Sequence, residues 1–335
     1  MDLNERSLER VLVIGGAGFI GSHIVDYLLK NNKQVTVFDN LSSGRLQLLK
    51  DHLNEQNFKF IQGDLTNVEE ISAIMSGHDV VWHLGANADI ARGVEDVSLD
   101  LRHNVIAMCN VLEAMRRNDV KNIMFVSTSA VYGNNGNHSY TETAGPLLPV
   151  SLYGAGKVSA ETFISAYCNL FGIRGYIFRL GNVLGARMPR GILRDFILKL
   201  KNNPKELEVL GDGKQAKSFI LVEDVIDGMV HVYNNAVLTA AKPCDVFNIA
   251  GPDSAGIEKI IDSVIKELGL TEVNVHYTGS NKGKPGDQTK VELNVNKVRE
   301  LGWEAKYTSE QAINIATKRM INYLNTSTKV TAGGK

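Results

Sequence analysis

The chain has 335 residues, 44% of them hydrophobic and 22% charged, with a formal net charge of -1. That is enough chain for a full core, as one large or two closely joined domains of ordinary soluble composition. A near-neutral balance without a long basic run argues against a nucleic-acid or membrane-surface partner. No apolar run reaches membrane-spanning length and the charged start MDLNERSLER is no secretory signal, so a cytoplasmic protein is expected.

From Arg10 onward, short β-branched runs alternate with longer amphipathic stretches. VLVIG, QVTVFD, FKFIQGD, DVVWHLG, NIMFVSTS and GYIFRLGN read as strands, and segments such as IGSHIVDYLLKNN and VIAMCNVLEAMRRNDV carry apolar residues at helical spacing. Near-continuous apolar strands separated by helices imply a parallel sheet covered on both faces, a doubly wound α/β domain of Rossmann type over residues 1–180. Further on, GILRDFILKLKNN reads as a helix and LEVLGDGKQAKSFILVEDV as a strand, a Gly-rich turn and a second strand. GIEKIIDSVIKELG and SEQAINIATKRMINYL read as amphipathic helices flanking the Pro285 loop. Residues 181–213 and 241–325 are therefore expected to form a smaller mixed α/β domain, with 214–240 rejoining the first and 326–335 a structureless tail. Cys109, Cys168 and Cys244 fit neither a disulfide framework nor a metal knuckle and read as buried thiols, so no metal site is expected.

Directly after the first strand, GGAGFIGSH places Gly15, Gly18 and Gly21 at G-x-x-G-x-x-G spacing. Such glycines permit a tight turn, let backbone N–H groups approach a pyrophosphate and let the helix pack against its strand. A strand-to-helix turn that merely happens to be Gly-rich would look the same, so the context decides. The second strand ends in Asp39, about 20 residues beyond the glycines, where a carboxylate accepts hydrogen bonds from the adenosine ribose. A carboxylate there repels a 2′-phosphate and favours NAD over NADP, although Arg45 nearby could pair with such a phosphate. After the third strand, Asp64 and Leu65 stand where a carboxylate and an apolar side chain could hold an adenine; as a loop residue Asp64 is equally ordinary.

Further along, SLYGAGK places Tyr153 four residues before Lys157, one helical turn apart on one side. Alone that spacing arises by chance in many chains. Together with GGAGFIGSH, DNLSSG at Asp39, GDL at Gly63 and STSAVYG from Ser127, it resembles the extended short-chain dehydrogenase/reductases, and among them the nucleotide-sugar epimerases of the UDP-glucose 4-epimerase type. The resemblance runs from about Val11 to Tyr307. It implies a tightly held NAD, a nucleoside-diphosphate sugar as substrate, and a homodimer built on the segments near Asn104 to Arg117 and Tyr153 to Phe171.

Carried over residue by residue, it also implies a cofactor pocket of Gly15, Gly18, Phe19, Ile20 and Gly21; Asp39, Asn40, Ser43 and Gly44; Asp64 and Leu65; Leu84, Gly85 and Ala86; and Asn104, Ser127, Tyr153 and Lys157. Thr128, four residues before Tyr132 and at the family's spacing from Tyr153, is the hydroxyl that holds the substrate oxygen, and one of its neighbours Ser127 and Ser129 could contribute instead. Asn182, Lys217 and Lys284 occupy positions that contact the sugar diphosphate. The family has arginines at the two lysine positions, and lysine neutralises phosphate without the planar two-pronged contact. Arg187, Arg190 or Arg194 could share the phosphate, and Arg92 could meet the substrate or simply be solvated.

The chemistry makes sense of the pair. Oxidising a carbinol removes a proton from oxygen while hydride leaves carbon, and a free tyrosine with a pKa of about 10 is too weak a base near neutrality. A cation one turn away favours the phenolate. Family dehydratases carry an acidic pair after the threonine, where this chain has Ser129 and Ala130, which disfavours water elimination. C4 epimerisation through a transient 4-keto sugar is the expected activity. Net oxidation or reduction of the sugar, or a non-catalytic NAD-binding sensor, is the alternative.

Overall fold

A computed structural model of the chain describes residues 9–134, 139–279 and 292–332. Among these, seven strands form one sheet: β1 (Arg10–Ile14), β2 (Gln34–Asp39), β3 (Phe58–Gln62), β4 (Val80–His83), β5 (Asn122–Thr128), β6 (Arg174–Leu180) and β7 (Cys244–Ile249). Their order is β7-β6-β5-β4-β1-β2-β3, and each pairing is parallel. From β1 the chain runs outward to β3, then returns to place β4 on the other side of β1. The order therefore reverses between β1 and β4, and a crevice opens there beyond the C-terminal ends of the strands.

Strand alternation divides the apolar residues between two faces. Val11 and Val13 join a core with Ile24 and Val25 of helix α1 (Phe19–Lys30). Leu12 and Ile14 join the opposite core with Ile71 of α2 (Val68–Met75). After the short α3 (Ile90–Glu95), α4 (Ala107–Arg117) and α5 (Leu152–Phe171) complete the second face with Met108, Leu112 and Ile164. A third core belongs to the smaller part of the chain. There Leu193 and Ile197 of α6 (Ile192–Asn202) meet Ile260 of α8 (Ile257–Glu267) and Ile313 and Met320 of α9 (Ser309–Ala332). Between them in sequence, α7 (Val222–Asn235) packs through Met229 and Val232 into the first core.

Four sequence expectations are corrected. Cys244–Ile249 belongs to the large sheet and not, as the sequence pattern predicts for 241–325, to the smaller unit. Its polar residues hid it: Asp245 accepts from Lys242 and Lys297, and the fully buried Asn248 accepts from the Tyr132 hydroxyl over 2.7 Å. In FILVEDV the strand stops at Leu221 and α7 starts at Val222, because Glu223 and Asp224 suit the positive end of a helix. The expected structureless tail is helical backbone as far as Ala332. Of the cysteines, Cys168 is buried, while Cys109 and Cys244 are half-buried free thiols.

Candidate active site

The crevice at the reversal of strand order is a cleft of about 440 Å³. Its floor is the glycine turn between β1 and α1. Gly15 has φ +77°, and a Cβ there would lie 2.6 Å from the Gly85 backbone nitrogen, while one at Gly21 would strike the Gly15 carbonyl. Only glycine fits both positions. Gly18 caps α1 with no side chain, so the first-turn amides of the helix, with their partial positive charge, face the cleft uncapped.

Asp39, at the end of β2, ties this turn together: Oδ2 accepts from the Ala17 N–H over 3.0 Å and Oδ1 from the Leu41 N–H over 2.8 Å. Burial raises its pKa, against the lowering effect of those two bonds. A Cβ at Gly44 would lie 2.8 Å from Asp39 Oδ1, so the chain there is held close around the carboxylate. Asn40 donates to Asp64 Oδ2 over 3.0 Å, and Thr66 and Asn40 hold Asp64 below the usual carboxylate range despite partial burial. Phe19, Ile20, Ser43, Leu65, Leu84, Gly85 and Ala86 line the same cleft. An uncapped helix N-terminus, glycines that admit no Cβ and a carboxylate at the tip of β2 are a donor set that fits a dinucleotide.

At the far end of the cleft stand Tyr153 and Lys157. Ser151 caps α5, its hydroxyl accepting from the Gly154 N–H over 3.1 Å, and this starts the helix that sets both side chains on one side. Burial pushes the Tyr153 phenol up to about 12, while the nearby Thr128 hydroxyl opposes that rise. Lys157 is 3% exposed; its ammonium donates to the Val126 carbonyl over 2.8 Å and lies 4.5 Å from the centre of the Phe125 ring. Burial pushes it down to about 7, partly offset by Glu161. Contrary to the expectation from their spacing, Lys157 does not make the phenol acidic in the protein alone, where desolvation dominates both groups.

Other expectations fare differently. Ser127 is buried outside the cleft lining, its hydroxyl donating to Glu161 over 2.5 Å. Asn104 is also buried rather than lining: its amide accepts from the Asn87 N–H over 2.9 Å and donates to Asp100 over 2.8 Å, tying the cleft loop after β4 to a π-helical turn at Leu101–Ile106. Ser129 opens a short 3-10 turn beyond Thr128 and lies outside the lining. Arg92 and Arg190 do line the cleft, and Arg190 is ion-paired with Asp89. Asn182 lies just outside it, donating to the Ser218 carbonyl over 3.2 Å, and Lys217 is in the two-residue strand paired with Ala255–Gly256. Arg187 pairs instead with Asp26 on α1 over 2.7 Å. Lys284 lies outside the described residues.

The sequence reading missed Asn87, Asp89, His103, Met188 and Pro189, all in the lining. A usable signal existed for Asp89, whose carboxylate caps α3 by accepting from the Arg92 N–H, and whose place just beyond β4 is at the strand-order reversal.

Residues 11–250 match the model of the NAD dependent epimerase/dehydratase family. The chain belongs to that family. NAD is therefore its cofactor, and the donor set above accommodates it. The chain is 30% identical over 325 residues, 95% of itself and 99% of the relative, to a Methanocaldococcus jannaschii protein provisionally named UDP-glucose 4-epimerase. It is 28% identical to UDP-glucuronic acid decarboxylase 1 of Xenopus tropicalis, covering 93% of this chain and 72% of the other. Among solved structures, a UDP-galactose 4-epimerase superposes with a TM-score of 0.83 at 32% identity, covering 94% of this chain and 99% of that one. Epimerases and decarboxylases that act on UDP-sugars thus both stand among the relatives of this NAD-dependent enzyme.

Proposed function

We propose that the chain epimerises C4 of a nucleoside-diphosphate sugar through a transient 4-keto sugar. The observation that carries this reading is the Thr128 hydroxyl set beside the Tyr153 phenol at the edge of a dinucleotide cleft, with Lys157 one turn behind and no carboxylate at Ser129 or Ala130. Bound in its oxidised form, NAD supplies a hydride acceptor, a hydride donor after reduction, and a positive charge in the cleft. Tyr153 takes the proton of the C4 hydroxyl and later returns it. Thr128 donates a hydrogen bond to the oxygen that carries the changing charge, and Lys157 favours the phenolate whenever it is protonated. Asn182, Arg92, Arg190, Lys217 and Lys284 are the groups we assign to the sugar diphosphate. Without an acid beside Thr128, the keto sugar has no local proton donor for elimination, so its productive fate is rotation and reduction on the opposite face.

A second reading shares the first half-reaction. The likeness to a uronic acid decarboxylase, together with two arginines in the lining, favours a 4-keto uronate that loses carbon dioxide. Incubating the purified protein with UDP-, GDP- and CDP-hexoses and with UDP-glucuronic acid, without added NAD, decides between them. C4-epimer mixtures support epimerisation, and a pentose product with carbon dioxide supports decarboxylation. Accumulating free NADH would mean net oxidation.

We further propose a homodimer through α4 and α5. The support is an apolar face left open to solvent, with Phe163, Leu170 (72% exposed) and Phe171 on α5 and Leu101 and Ile106 in the π-turn leading to α4.

A further inference from the structure

One buried ion pair beside the catalytic residues has no part in the mechanism above. Glu161 lies one turn beyond Lys157 on α5, and Arg179 lies near the end of β6; they are 5% and 4% exposed. Arg179 Nη2 donates to Glu161 Oε2 over 2.6 Å, and Nε donates to the two carboxylate oxygens over 3.1 and 3.2 Å. The Ser127 hydroxyl donates to Oε1 over 2.5 Å. The guanidinium is fixed in turn, donating to the Glu142 carbonyl over 3.3 Å and lying 4.8 Å from the centre of the Tyr132 ring.

Ser127 is the residue before Thr128. Tyr153, Lys157 and Glu161 follow one another at four-residue steps, so one side of α5 carries the base, the cation and this carboxylate in a row. A buried ion pair contributes little net stability, because desolvation offsets its attraction, so its retention beneath a catalytic strand end calls for another role.

Resting on the catalytic reading above, we propose that Glu161, clamped by Arg179, is a positioning residue: it grips Ser127 so that β5 presents Thr128 to Tyr153, and it sets a negative charge behind the Lys157 ammonium. The groups facing that ammonium are Glu161 on its own helix, His83 on β4, and the Val126 carbonyl and Phe125 ring on β5. Arg179, from β6, is neutralised by Glu161 itself, and Asp100, from the turn before α4, bears on Tyr153. Removing the carboxylate strands Arg179 as a buried cation and leaves Lys157 without a counter-charge, so Lys157 gives up its proton at lower pH.

The test compares wild type, Glu161→Gln, Glu161→Asp and Ser127→Ala, each NAD-loaded and normalised to folded protein by circular dichroism. Glu161→Gln is expected to lower kcat by about 10- to 100-fold, the scale of a small misplacement of reacting groups, with KM little changed. It should also move the alkaline decline of kcat down by about one pH unit. Glu161→Asp should restore part of both. Ser127→Ala should lower kcat yet leave the decline at its wild-type pH, which separates the grip from the charge. A Glu161→Gln protein that melts earlier but keeps wild-type kcat and pH profile per folded molecule overturns the proposal. If that variant does not fold, wild-type kcat in folded Ser127→Ala overturns the grip. If wild type turns over no nucleotide sugar, the functional reading fails instead. The positioning is then read from the pH at which Tyr153 ionises in the NAD-loaded protein, followed by phenolate absorbance against Tyr153→Phe. Glu161→Gln and Ser127→Ala should each raise that pH, and no movement overturns the proposal.

Discussion

Lys157 donates its ammonium proton to the Val126 carbonyl over 2.8 Å, so the cation beside Tyr153 is anchored to the backbone of the strand that carries Thr128. Burial holds its pKa near 7, so its charge is present below neutrality and lost as pH rises through that value. Turnover should therefore decline above pH 7. A Lys157→Arg protein, slower overall, should keep its charge across this range and show no such decline. Initial rates across a pH series for the two proteins check this.

Tyr153 should change its ionisation with cofactor. In the protein alone burial pushes the phenol up to about 12. Oxidised NAD adds a positive charge in the same cleft, which favours the phenolate, so loading should lower the pH at which phenolate absorbance appears and removing the cofactor should raise it again. An identical titration with and without NAD would contradict the role of the cofactor's charge in ionising this residue.

Replacing Tyr153 or Thr128 should slow turnover without emptying the cleft. Tyr153→Phe is expected to lower kcat by about 10²- to 10⁴-fold, the usual contribution of a positioned acid/base group. Thr128→Val should cost less, about 10- to 100-fold, for one hydrogen bond to a charged oxygen. Both should retain NAD, measured by releasing and quantifying nucleotide after denaturation.

Asp39→Ala removes the acceptor for the Ala17 and Leu41 N–H groups and so loosens the glycine turn, together with the ribose contact proposed for that carboxylate. NAD affinity should fall by about 10- to 100-fold, corresponding to a lost charge-assisted bond. Discrimination against NADP should narrow. Equilibrium dialysis with each dinucleotide measures both.

Acid should unfold the protein through its buried imidazoles. Burial, with Lys157 adding to it, pushes His83 down to about 3, and burial with Arg187 pushes His23 down to about 4, both from 6.5. Between these values and 6.5 the unfolded chain binds more protons, so stability is full above about pH 6.5 and drains away as pH falls. His83→Leu should flatten that loss by on the order of 3 kcal/mol at its acid end. Urea titrations from pH 7 to pH 4 would show it.

Much of this was legible in the sequence because the signals were local. The six strands with near-continuous apolar runs, the glycine turn with Asp39 at the next strand's end, and the Tyr153–Lys157 step each declare themselves within a few residues. What stayed hidden depends on partners distant in the chain. CDVFNI conceals its place in the sheet because Asp245 and Asn248 are satisfied by Lys297, Tyr132 and the Tyr140 and Asn294 carbonyls. Asn104 looked like a cofactor contact until the π-turn directed its amide to Asn87. The electrostatics of Tyr153 could not be judged from the spacing of its lysine, because burial outweighs a single neighbouring charge whose own proton is directed to a carbonyl.

The outermost strand, Cys244–Ile249, has a consequence for how the chain is made. It leaves the ribosome only after its six register partners on Gly175–Leu180 and the whole intervening segment have been synthesised. Until then the nascent polypeptide carries a bare row of amides and carbonyls beside Phe178, open to any passing strand. A truncation near residue 180 should therefore emerge as an insoluble product, and a coexpressed fragment beginning near residue 181 should rescue it by covering that edge.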